Sequence, residues 1–141
     1  MTPDFERLYR ATTYAADTPL GRADVRVGRR APLLDDLLDL LGRRHWAIVT
    51  AWNPRSQRLD DAENGRRHGE LLRAVGALPH YAAENVPDDP KADFRETALL
   101  VVGLDADAAA ELGRRFEQHA VVAGECGGPA RLVACRPPDC D

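Results

Sequence analysis

Apolar and polar positions follow two rhythms along this chain. Leucines recur at 33, 34, 37, 38 and 41, with Asp35, Asp36 and Asp39 on the opposite side. That spacing predicts an amphipathic helix. Pro32 opens it, where a missing N–H costs nothing, and Gly42 closes it. Residues 45–52 read HWAIVTAW, apolar almost throughout, which predicts a buried and central strand. A second helix is predicted from Asp60, whose side chain can cap it with Glu63 three residues on, to Gly76. PHYAAENV then reads as a short strand, PDDPKAD as a solvated loop and FRETALLVVGL as a second long strand. Asp105 caps a third predicted helix that runs to about His119 or Ala120. VVAGECGGPARLVAC gives two short strands about a Gly-Gly-Pro turn.

Near the start, RLYRATTYAA carries β-branched and aromatic residues, DTPLG is a turn signal, and ADVRVG alternates. This stretch predicts a hairpin. The sum is an α+β fold: a mixed, mostly antiparallel sheet with about three helices packed on one or both faces. The pieces 45–85 and 94–124 suggest the halves of a ferredoxin-like layout. One domain is expected over 1–136, with 137–141 as a frayed tail.

Composition narrows the partners more than the fold. The 141 residues are 44% hydrophobic and 30% charged, ordinary for a globular chain large enough to bury a core. A net charge of −4 argues against a general nucleic-acid or anionic-membrane binder. No apolar run reaches the roughly 20 residues of a membrane span, and MTPDFERLYR offers no apolar leader segment, so the expected location is cytoplasmic. Among the basic residues only Lys91 is a lysine. Such arginine bias weakens any phosphate-binding reading of Arg55, Arg58, Arg66 and Arg67, which also read as solvated charges. Cys126, Cys135 and Cys140 form no paired spacing, so neither a metal site nor a cofactor is expected.

The candidate chemistry gathers at TAWNPRSQRLDDAEN, residues 50–64. Pro54 should push Asn53 into an extended conformation at the end of the central strand, where ligands tend to lie in open sheets. Ser56 follows in the connection. Asn64 shares a helical stripe with His68, Leu71, Leu72 and Val75, so it is a polar group on a buried face, leaning back toward the loop. Its partners are either loop backbone groups, in which case it is a brace, or a ligand.

Several motifs together resemble a bacterial family, the domain of unknown function 3293. They are TTY at 12–14, Val-Gly at 27–28, TAWNP-x-S at 50–56 with Asn64 after it, Glu96 at the start of a late strand, and F-x-Q-x-A at 116–120. The resemblance covers roughly residues 8–134. Thr97 and His119 depart from the residues usual in that family. The resemblance implies a polar set, Tyr14, Thr50, Asn53, Ser56, Asn64, Glu96 and Gln118, and no reaction.

Three functions follow as expectations. The first is binding or sensing of a small polar ligand, a nucleotide or another phosphate or carboxylate compound, by Tyr14, Thr50, Trp52, Asn53, Ser56, Asn64 and Gln118. The second is an enzyme with Glu96 or His119 as general acid or base. His119 also reads as a core residue on the stripe Ala108, Leu112, Phe116, and Glu96 as the partner of Arg95 or Arg131. The third is an adaptor that binds an unknown protein partner.

Overall fold

The computed structural model describes residues 3–92 and 95–135. The expected tail at 137–141, with Cys140, lies outside the described residues. In chain order the elements are α1 (Pro3–Arg10), β1 (Thr12–Thr18), β2 (Gly21–Val25), α2 (Pro32–Leu41), β3 (His45–Val49), α3 (Asp61–Val75), β4 (His80–Pro87), β5 (Glu96–Val102), α4 (Ala106–Arg115), β6 (Ala120–Glu125) and β7 (Arg131–Ala134). The strands form a sheet of order β2-β1-β4-β5-β3-β6-β7, antiparallel at each pairing between neighbours. Four α-helices stand among the described residues where about three were expected. The additional one is α1. Phe5, Leu8 and Tyr9 fall at i, i+3 and i+4 there, with Asp4 and Glu6 in its first turn and Arg7 and Arg10 in its last, each charge complementing the helix dipole. The β-branched residues that suggested an early strand begin only at Thr12.

Period-two alternation divides the sheet between two cores. Trp46 and Ile48 of β3 face one side, where Leu34, Leu37 and Leu38 of α2 pack; Ala47 and Val49 face the other, with Leu71 and Val75 of α3 and Ala109 of α4. The predicted leucine stripe is therefore the buried face of α2, and Gly42 ends the helix in the left-handed conformation at φ 65°. Asp60 and Asp105 cap α3 and α4, accepting hydrogen bonds from the backbone N–H groups of Glu63 and Ala108.

The sheet curls about α2. Gly28 N–H bonds Ala130 O at 2.8 Å and Ala130 N–H bonds Arg29 O at 2.8 Å, so the chain beyond edge strand β2 meets the turn before edge strand β7. Two expectations need correction on the outer face. Leu72 is 38% exposed, because the stripe beginning at Asn64 narrows to Leu71 and Val75. The third predicted helix stops at Arg115, four residues before His119, with Phe116 as its C-cap and Glu117 at φ 60°. No helix among the described residues is long and apolar enough to cross a membrane.

Candidate functional site

Strand register sets three polar side chains in a row. Tyr14 of β1 pairs with Asn85 of β4, and Asn85 pairs with Glu96 of β5. Each lies in step with the core face of its strand: Tyr14 with Ala16, Asn85 with Ala83, Glu96 with Ala98 and Leu100. The row lines a cavity of about 190 Å³, together with Thr12 and Pro87. Phe5, Leu8 and Tyr9 of α1 form one wall, and Asn53, Ser56, Arg58 and Gln118 form the other.

The second wall depends on an unusual loop. Asn53 is at φ 48°, ψ 62°, left-handed rather than extended as the following proline predicts, and Arg55 and Ser56 also have positive φ, 55° and 60°. Asparagine tolerates this region because its amide can bond local backbone. Here Asn53 Oδ1 accepts from Leu59 N–H at 3.0 Å and from Asn64 Nδ2 at 2.9 Å, while Asn53 N–H donates to Asn64 Oδ1 at 2.9 Å. Those bonds outweigh the preference imposed by Pro54. They leave Asn53 Nδ2 free to donate to Glu96 Oε2 at 2.9 Å.

Glu96 is the acidic group of the lining. Burial pushes its carboxyl above the ordinary glutamate range, and hydrogen bonds from the Asn53 and Asn85 amides oppose that rise without cancelling it. It forms no ion pair with a described residue, contrary to the pairing expected with Arg95 or Arg131; Arg95 instead meets Glu84 at 3.0 Å. Burial also pushes the Tyr9 and Tyr14 phenols up, which keeps both neutral. Tyr14 Oη donates to Tyr9 O at 3.2 Å and Thr12 Oγ1 to Leu8 O at 2.7 Å, tying α1 to the strand beside it.

The sequence-predicted residues therefore separate into two groups. Tyr14, Asn53, Ser56, Glu96 and Gln118 line the cavity, whereas Thr50, Trp52, Asn64 and His119 are not among its lining residues. Thr50 Oγ1 donates to Thr97 O at 2.7 Å and accepts from Trp52 N–H at 3.1 Å, closing the end of β3 against β5. Asn64, 1% exposed, braces the loop. Trp52 O accepts from Gln118 Nε2 at 2.9 Å, and the half-buried Trp52 indole N–H has no hydrogen-bond partner among the described residues. His119 stacks on Phe5 with ring centroids 4.3 Å apart, outside the helical stripe expected for it. Sequence reasoning missed Phe5, Leu8, Tyr9 and Asn85. The i, i+3, i+4 spacing gives the first three, and Asn85 falls on the alternation of Tyr81 and Ala83.

No curated protein and no solved structure matches the chain. One family does, across residues 49–121, a span that holds Asn53, Ser56, Asn64, Glu96 and Gln118 and leaves Tyr14 and the wall from α1 outside it. The chain belongs to the family described as Protein of unknown function (DUF3293).

Proposed function

We propose that this chain binds or senses a small polar molecule in the cavity between α1 and the 53–58 loop, on a ferredoxin-like core of β3 to β6 extended by the β1–β2 hairpin and β7. The observation that carries the reading is the convergence of Glu96, Asn85, Asn53 and Gln118 on one cavity beside the aromatic wall of α1. Pockets that recognise small molecules combine apolar walls with a few fixed polar groups in this way. A cavity of about 190 Å³ suits a compact metabolite rather than a whole nucleotide, since an apolar cavity of about 150 Å³ takes one benzene. Ser56, exposed at the rim, brings a hydroxyl donor of the kind that a carboxylate or phosphate would need.

The test is a thermal-shift and NMR screen of metabolites against the purified protein and Leu8→Trp. Leu8 is 45% exposed on α1 and lines the cavity, so the larger ring fills the mouth without touching the core. Ligands that raise the melting temperature of the wild type and not of Leu8→Trp support the reading. No stabilising ligand, or equal effects on both proteins, would reject it.

A second reading, an enzyme using Glu96 as general acid or base, is favoured by one observation. Burial raises its carboxyl above the ordinary glutamate range while two amides fix its orientation. Turnover of a ligand found in the screen, abolished in Glu96→Gln with binding retained, would select it.

A further inference from the structure

We infer that the buried end of the ligand is a cationic hydrogen-bond donor, a primary ammonium or an amidinium seated on Glu96; this rests on the cavity being a binding site, as proposed above. The deep lining offers more unused acceptors than donors.

Its amide donors and most of its hydroxyls are spent on the protein. Gln118 directs Nε2 at two carbonyls, Trp52 O at 2.9 Å and Phe116 O at 3.2 Å. The Tyr14 and Thr12 hydroxyls donate to Tyr9 O and Leu8 O. Asn53 and Asn85 both turn amide donors to Glu96.

Acceptors remain. A carboxylate offers about four lone-pair positions, and the two amides occupy part of that capacity. Asn85 Oδ1, in the same row, is buried with no hydrogen-bond partner among the described residues. A largely buried carboxylate that neutral amides hold, with no counter-charge among the described residues, is costly unless something cationic joins it. The walls suit a cation as well. Phe5, Tyr9 and Tyr14 bring aromatic rings to the same volume, and ring faces attract ammonium and amidinium groups. An anion at this depth would meet acceptors and a like charge.

Acetamidinium, acetamide and acetate have nearly the same shape and carry charges of opposite sign or none. Each is titrated, at matched ionic strength, into the wild-type protein and Glu96→Gln, followed by backbone amide shifts. The inference expects acetamidinium to perturb residues 53, 85 and 96 with at least tenfold tighter binding than acetamide or acetate, and to lose that advantage in Glu96→Gln. The comparison among the three probes in the wild type stands even where the variant fails to fold. Preference for acetate or acetamide overturns the ligand class while leaving the pocket as a binding site. No saturable shift with any probe overturns the inference as well, and the metabolite screen with Leu8→Trp then decides the binding reading separately.

Discussion

Asn64→Ala tests the reasoning on which the loop geometry stands. The Asn64 side chain makes three hydrogen bonds, accepting from Asn53 N–H at 2.9 Å and donating to Asn53 Oδ1 at 2.9 Å and Leu59 O at 3.2 Å. At 1% exposure, water does not reach these groups in its place. Alanine strands the Asn53 N–H and the Leu59 carbonyl; Asn53 Oδ1 keeps Leu59 N–H at 3.0 Å. At about 1 kcal/mol for each bond lost, and more where a group is left dry, the loss of stability is about 3 kcal/mol. For a chain of this size that lowers the melting temperature by about 10 °C. Asn64→Asp separates the acceptor from the donor. It keeps the bond from Asn53 N–H but places a carboxylate against two oxygen acceptors, so it loses at least as much at neutral pH and recovers part of it in acid. Urea unfolding measures the stability, and hydrogen exchange at Asn53 and Leu59 reports the loop itself. If Asn64→Ala stays within about 1 kcal/mol of wild type and both amides exchange no faster, the amide pair does not hold the loop and the argument fails.

Three further outcomes are expected. Gly124→Ala places a Cβ 2.5 Å from Trp46 Cζ2 in the closed core, an overpacking that costs about 1–3 kcal/mol in urea unfolding; a neutral result would mean that Trp46 can move. Glu96 is held above its ordinary value of 4.5 by burial, so its contribution to stability is full below that value and is lost as pH rises through the raised folded value. The stability of wild type relative to Glu96→Gln should therefore fall as pH increases above 4.5, and a flat difference across a pH series of urea midpoints contradicts the burial argument. Asn53→Gly keeps the left-handed backbone and deletes the amide, whereas Asn53→Ala loses both. Glycine should be the more stable by about 1 kcal/mol, and equal stabilities would show that φ at this position carries no strain.

Much of the scaffold was readable from local pattern. The leucine stripe of α2, the caps at Asp60 and Asp105 and the apolar runs of β3 and β5 depend on residues a few positions apart, which periodicity reports directly. The site was less legible because its geometry is non-local. Tyr14, Asn85 and Glu96 meet through the register of three strands, and no spacing within one segment encodes that row. Pro54 alone predicts an extended Asn53, a rule that holds when nothing else binds the residue; here Asn64 and Leu59 do. The wall from α1 was lost because Thr12, Thr13 and Tyr14 lent strand character to the residues before them, although Phe5, Leu8 and Tyr9 already formed a helical stripe.

The placement of strain ties the loop to the cavity. Among the described residues, those other than glycine with positive φ are Asn53, Arg55, Ser56 and Glu117. They fall in two segments that hold each other: Arg55 N–H donates to Glu117 O at 2.7 Å, and the two side chains pair at 3.2 Å. Arg67, reaching in from α3, clamps the same junction by donating to Ala51 O at 2.8 Å and Phe116 O at 2.7 Å, and Gln118 adds its bond to Trp52 O. Left-handed backbone costs of order 1 kcal/mol or more at a residue with a side chain, and such outliers persist only where their surroundings over-determine them. A loop that merely joined a strand to a helix could place glycine at these positions and dispense with the clamps. Side chains are kept instead at Asn53, which reaches Glu96, and at Ser56, which lines the rim. The bracing by Asn64, Arg67 and Gln118 is therefore best understood as the means by which one wall of the cavity is held at a fixed distance from the Tyr14–Asn85–Glu96 row.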